Sequence, residues 1–99
     1  MPIFVEFNDN FQHTYKSFDE ITRLDNYNDI IYINCALIDL TSLPELPYSL
    51  NQLICAFNNL TSLPELPNSL TYLDCSYNNL TSLHELPNSL KKLWCQIII

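Results

Sequence analysis

Glycine is absent from all 99 residues. The chain therefore has no residue that takes positive φ without steric cost, and its twelve asparagines, among them Asn58, Asn59, Asn78 and Asn79, are expected to supply such turns. Cations are scarce as well. Four Lys and Arg stand against eleven Asp and Glu, a net charge of −7 that opposes docking on phosphate backbones or anionic lipid, so nucleic acid is not an expected partner. No apolar run approaches the about eighteen residues that a membrane span needs. The opening Met1-Pro2-Ile3-Phe4-Val5-Glu6 lacks the basic head and apolar core of a secretory signal. With 47% hydrophobic residues, the expectation is one small soluble domain in an intracellular compartment.

What is present is repetition. Leu70 to Ser89 reads LTYLDCSYNNLTSLHELPNS, Leu50 to Ser69 reads LNQLICAFNNLTSLPELPNS, and Ile30 to Ser49 reads IIYINCALIDLTSLPELPYS. The period is 20, and Cys35, Cys55, Cys75 and Cys95 all fall at one phase of it. A period of this length signals stacked coils, so the chain is read by columns. Three repeats (30–49, 50–69 and 70–89) and a partial fourth (90–99) follow a non-repeating segment, 1–29.

In that first segment Ile3, Val5 and Phe7 alternate with Phe4 and Glu6, Asn8-Asp9-Asn10 offers a turn, and Phe11, His13 and Tyr15 alternate with Gln12 and Thr14. This spacing predicts a β-hairpin. A short helix is expected next, because Ser17 sits three residues before Glu20 in capping-box spacing and Phe18, Ile21 and Leu24 share one face. Residues 1–29 read as an N-terminal cap over the apolar end of the first coil.

Within the repeat, positions 1, 4, 6, 11, 14 and 17 are apolar in every complete copy, as at Leu50, Leu53, Cys55, Leu60, Leu63 and Leu66. Positions 4 and 6 lie two apart, which predicts a short strand with those side chains inward and positions 3, 5 and 7 outward. Stacked coils would build a parallel sheet, with Leu-Pro-Glu-Leu-Pro returning in an extended, polyproline-like path. The Leu-x-x-Leu-x-Cys-x-x-Asn-x-Leu core at Leu70 to Leu80, with Leu-Pro-Glu-Leu-Pro at 63–67, resembles the short twenty-residue type of leucine-rich repeat. That type is known from bacterial effectors of the YopM and IpaH families, and similar Cys-containing repeats occur in giant viruses of amoebae. The resemblance implies a leucine-rich-repeat solenoid with strands on a concave face. IpaH-like effectors join such repeats to a ubiquitin-ligase domain, to which no stretch of this sequence corresponds. Two departures stand out: Ile38 replaces the asparagine of Asn58 and Asn78, so the asparagine ladder is not expected to extend to the first coil, and His84 replaces Pro44 and Pro64.

The cysteine column argues against a metal site, because four thiolates would have to converge to about 2.3 Å from one point. Stacked one per coil, the sulfurs run in a line about 4.8 Å apart. That spacing also suits disulfides poorly, since bonded cysteines hold Cβ atoms about 3.8 Å apart. Cys35, Cys55, Cys75 and Cys95 are expected to be reduced core residues, which implies a reducing compartment. His13 and His84 have no nucleophile or carboxylate partner at a catalytic spacing, and Glu45, Glu65 and Glu85 read as a solvated stripe. No cofactor and no catalytic residue is expected.

The asparagine at position 9 reads as structural, its amide pairing backbone groups left over by a tight turn. Function is expected on the outward columns: Tyr32, Gln52, Tyr72 and Lys92 at position 3, and Asn34, Ile54, Asp74 and Trp94 at position 5. Ala36, Ala56, Ser76 and Gln96 form a small or polar column at position 7 that would let a partner's backbone approach, and Phe57 and Tyr77 border it. Aromatic anchors among few charges suit a protein or peptide partner. The expected function is a non-catalytic protein-interaction module; the alternatives are a substrate-recognition fragment of a larger effector and a truncated remnant. After Trp94 the sequence runs Cys95-Gln96-Ile97-Ile98-Ile99 with no amphipathic capping segment. Self-association through this edge, as a homodimer using Trp94, Ile97, Ile98 and Ile99, is a further expectation.

Overall fold

The computed structural model describes residues 1–83 and 85–96. The alternation at the N-terminus becomes strand β1 (Ile3–Phe7), with Ile3, Val5 and Phe7 buried, and β2 (Gln12–Tyr15) returns antiparallel to it. Asn10 takes positive φ in the connecting turn, its N–H donates to the Phe7 carbonyl at 3.1 Å, and the Phe11 N–H donates to Asp9 Oδ1 at 2.9 Å. Phe11 itself falls outside the strand and is 69% exposed.

Helix α1 (Phe18–Thr22) follows, held by buried Ile21 with Phe18 and Leu24 packed against the core. Ser17 is extended at its N-terminus but makes no side-chain capping bond, so the capping-box spacing does not become a capping box. At five residues the helix owes its form to the packing of its apolar face, since so short a segment is not stable on its own. A single 3-10 turn (Tyr27–Asp29) then leads into the repeats. The Tyr27 hydroxyl donates to the Glu45 carbonyl, tying this turn to the first coil; burial, followed by the nearby Glu45 carboxylate, pushes its pKa up to about 12.

Strands β3 (Ile30–Asn34), β4 (Gln52–Ile54), β5 (Tyr72–Asp74) and β6 (Lys92–Trp94) pair in parallel with a constant offset of one repeat. The sheet order is β2-β1-β3-β4-β5-β6, so the hairpin continues the repeat sheet through an antiparallel β1–β3 ladder. Before β4, β5 and β6 the chain makes a turn closed by Leu50 N–H to Pro47 O at 3.0 Å, Leu70 N–H to Pro67 O at 3.1 Å, and Leu90 N–H to Pro87 O at 3.1 Å. The Leu-Pro-Glu-Leu-Pro segments at 43–47 and 63–67 contain neither helix nor strand, as two prolines per coil dictate.

One apolar cluster runs from Ile3 through the coils to Leu80. Burial within a column depends on neighbours on both sides: Leu46 is 6% exposed and Leu86, the same position two coils on, is 39% exposed. Positive φ does not fall on Asn58, Asn59, Asn78 or Asn79 but on the residue at position 8, Leu37, Phe57 and Tyr77, and on Asp39. Position 8 is left-handed in the first coil as well, where Ile38 and not an asparagine follows, so this backbone belongs to the turn of the coil itself, at a steric cost of about 1–2 kcal/mol. No helix of the described residues is long and apolar enough to cross a membrane.

Candidate functional site

Because side chains alternate along a strand, Ile33, Leu53 and Leu73 face the core while the residues on either side of each face outward. Parallel pairing without slippage lines these up in rows across the sheet. Tyr32, Gln52, Tyr72 and Lys92 form one row, and Asn34, Ile54, Asp74 and Trp94 the next. Gln52, Lys92 and Trp94 are exposed, and the others are partly exposed.

Two members of the second row also have local work. Asn34 Oδ1 accepts from the Ala36 N–H at 3.2 Å, and Asp74 Oδ1 accepts from the Ser76 N–H at 3.1 Å and its hydroxyl at 2.6 Å. The position-7 column differs from its expected openness. Ala56 is only 4% exposed, so the column is closed there, while Ala36 and Ser76 are partly exposed and Gln96 is exposed; the neighbours at position 8 stand out more. Phe57 and Tyr77 stack with centroids 4.4 Å apart and planes 6° from parallel, each about half exposed.

The asparagines at position 9 are buried and bonded on both sides of the amide. Asn58 Oδ1 accepts from the Ile38 and Leu40 N–H groups at 3.1 and 2.9 Å, and its Nδ2 faces the carbonyls of Cys35, Cys55 and Ala56 at 3.0, 3.1 and 3.2 Å. Asn78 repeats this one coil on, accepting from Leu60 N–H at 3.0 Å and facing Cys55, Cys75 and Ser76 carbonyls at 3.0, 3.2 and 3.3 Å. Each amide thus serves its own coil and the one before it.

Cys35, Cys55 and Cys75 are buried in one column without disulfide partners, and Cys95 is half-buried. The expectation of four equivalent core cysteines therefore changes at the fourth: β6 is an edge of the described sheet, so Cys95 lacks cover on one side. Burial pushes the Cys35 thiol up to about 12, and burial with neighbouring thiols pushes Cys55 and Cys75 up further. Such thiols stay protonated and unreactive at neutral pH.

The remaining singled-out groups do not converge on a reactive centre. His13 lies on β2, 3.8 Å from Asp9 and edge-on to Phe7, while His84, Ile97, Ile98 and Ile99 lie outside the described residues. Glu45, Glu65 and Glu85 are exposed on the side away from the sheet. Glu65 and Glu85 border a groove of about 530 Å³ whose apolar wall includes Leu63, Leu66, Leu83 and Leu86.

No protein-family model and no curated protein sequence matches the chain. Solved structures do. YopM from Yersinia enterocolitica WA-314 is 49% identical over 60% of this chain, with a TM-score of 0.58, and a Shigella effector LRR domain is 28% identical over 82%, with a TM-score of 0.59. The chain is a leucine-rich-repeat protein that resembles bacterial effectors. It spans 13% of the first structure's length and 49% of the second's.

The leucine-rich repeats contain a second ladder that the column reading passed over. Ser69 Oγ donates to the Tyr48 and Leu50 carbonyls at 2.9 and 2.6 Å, Ser89 Oγ to the Leu70 carbonyl at 2.7 Å, and Ser49 Oγ to the Asn28 and Ile30 carbonyls. The signal was in plain view: serine occupies position 20 in all three copies. The hydroxyl ties the end of each copy back to that copy's first residue, and in the first two also to the residue two places earlier, at the opposite end of the strand from the asparagine.

Proposed function

We propose that this chain is a non-catalytic protein-interaction module that holds a protein or peptide partner on the outer, concave face of its strands. The observation that carries this is the pair of outward rows, in which Tyr32, Tyr72, Ile54 and Trp94 stand on a face braced from behind by the asparagine ladder. Aromatic side chains on a rigid support lose little entropy on binding, which is what interface anchors require. The likeness to a Shigella effector LRR domain supports an interaction role and also a narrower one, as the substrate-recognition part of a larger effector. In this proposal residues 1–29 cap the stack, and the protonated buried thiols suit a reducing compartment.

The test is affinity capture of partners with face variants. Tyr72→Ser and Trp94→Ser together are expected to abolish capture of proteins retained by the parent chain. Tyr48→Ser, at a 73% exposed turn residue before β4, is the control and leaves capture intact. Equal losses in the two variants, or none in either, would overturn the assignment.

A further inference from the structure

The hairpin shares more with the repeats than a sheet edge. In the β1–β3 ladder Phe4 lies opposite Asn34 and Glu6 opposite Tyr32, while across β1–β2 Phe4 lies opposite Thr14 and Glu6 opposite Gln12. Directly paired residues point to the same side of a sheet. Phe4 and Glu6 are partly exposed, whereas Ile3, Val5 and Phe7 between them are buried. The two outward rows of the repeats therefore run on across the hairpin. One reads Gln12, Glu6, Tyr32, Gln52, Tyr72, Lys92, and the other Thr14, Phe4, Asn34, Ile54, Asp74, Trp94.

Apolar side chains alternate between these rows at every strand from β1 to β6. Phe4, Tyr32, Ile54, Tyr72 and Trp94 form a zigzag stripe, with Glu6 and Gln52 on one flank and Asn34 and Asp74 on the other. With strands about 4.8 Å apart, four steps give a stripe about 19 Å long. An occupant must offer one apolar contact per strand. A helix lying across the strands brings round its apolar ridge every turn, about 5.4 Å, close to one strand step. An extended peptide returns side chains to the same side only every about 6.7 Å and falls out of step sooner. A helix of about 13 residues covers the stripe.

Charge selects among helices. On the two rows Glu6 and Asp74 flank the stripe on opposite sides, and Lys92 stands at its far edge. We propose that the outer sheet face, with Phe4 and Glu6 of the hairpin as integral parts of it, docks an amphipathic helical segment of a protein that carries Lys or Arg on both sides of its apolar ridge. This rests on the partner-binding function proposed above, and it assigns the hairpin a binding role that a mere end-cover would not have. Anionic membrane is disfavoured as the occupant by the same charge.

Trp94, the single tryptophan and 54% exposed, sits at one end of the stripe and reports occupancy by its emission. A display library of random fourteen-residue peptides is selected on the full chain, and recovered peptides are titrated against variants. Expected is enrichment of peptides with apolar residues at helical spacing flanked by Lys or Arg, which become helical and shift Trp94 emission to the blue on binding. Phe4→Ser and Ile54→Ser should each weaken them at least about tenfold, the scale of a lost anchor. Glu6→Lys should weaken them severalfold without removing an apolar contact, which keeps the hairpin's part testable if Phe4→Ser unfolds. Phe11→Ala, away from the stripe, should leave binding unchanged. Dependence on Ile54 without dependence on Phe4 or Glu6 would overturn the hairpin's role while leaving the binding face standing. Recovery of acidic or non-helical peptides would overturn the partner chemistry, and binding indifferent to Ile54 would overturn the face itself.

Discussion

Replacing Asn78 by alanine removes one amide and leaves two backbone groups without the partners they have in the native coil. The Leu60 N–H loses the oxygen that accepts it at 3.0 Å, and the Cys75 carbonyl loses the Nδ2 at 3.2 Å. The other two carbonyls that Asn78 faces are less exposed to the loss, because the Cys55 carbonyl also faces Asn58 Nδ2 at 3.1 Å and the Ser76 carbonyl accepts from Phe57 N–H at 3.0 Å. Orphaning a buried polar group costs about 1–3 kcal/mol, so the two together cost about 2–6 kcal/mol. Total stabilities of small domains are about 5–15 kcal/mol, so this is a large share. Asn58→Ala should cost more, since Asn58 accepts from two N–H groups where Asn78 accepts from one. Tyr72→Ala, on the outward row, should cost about 0.5 kcal/mol, as surface changes do. Urea titrations followed by circular dichroism would place the midpoints in the order parent, Tyr72→Ala, Asn78→Ala, Asn58→Ala at constant slope. A loss for Tyr72→Ala equal to that for Asn78→Ala would refute the assignment of one column to the scaffold and the other to the surface.

Thiol titration of the native chain at neutral pH should show one fast group, Cys95, and three slow ones that react only on unfolding; four fast thiols would contradict the buried column. Alkaline stability should follow from the raised thiol pKa values. The unfolded chain releases thiol protons near the ordinary value of 9.0 while folded Cys35 holds its proton up to about 12, so its stabilising contribution is complete below 9.0 and lost as pH climbs through about 12. The urea midpoint should fall over that window, and Cys35→Ala should flatten the fall. Ile38→Asn should lower the midpoint, because the new amide would have no preceding repeat coil to bond; a rise would mean that the hairpin and helix present usable backbone there. At β6, Leu93 is 38% and Trp94 54% exposed along an edge with no further strand among the described residues. Sedimentation over a concentration series should show a dimer that Leu93→Lys weakens, and a monomer throughout the micromolar range would remove self-association from consideration.

The parallel sheet was legible because a strict period of 20 lets each column be read three times over, so that Leu53 and Leu73 vouch for each other. Burial along a column was not, since it depends on the neighbouring coils, and Leu46 and Leu86 hold the same position of the repeat but have different cover. The hairpin's alternation was legible; its pairing with β3 was not, because nothing local in Ile3–Phe7 encodes an antiparallel neighbour that lies more than twenty residues away. The outward rows of the candidate site followed from strand parity alone. Their continuation through Phe4 and Glu6 required the register.

The direction of the asparagine ladder explains the one column that the first coil breaks. Asn58 and Asn78 reach toward the N-terminal side, each pairing N–H and carbonyl groups of the coil before its own. An asparagine in the first coil would have to reach toward the hairpin and α1, which are not a repeat coil, and its buried amide would be left partly unpaired, at about 1–3 kcal/mol. Ile38 avoids that cost by packing against the core. The first coil keeps its own bonds all the same, because Asn58 supplies them from the coil above, so the ladder reaches one coil further than the asparagine column does. The serine column works differently: Ser49 donates back to the Ile30 carbonyl at the start of its own copy and to the Asn28 carbonyl two residues earlier, so the first strand's start is bonded from within the first copy. The asparagine ladder is therefore polar along the stack. The second and third coils each bring the amide that completes the coil before, so the first coil, bonded by Asn58 on one side and by the β1–β3 ladder on the other, is held from both sides beneath a partner lying across the face.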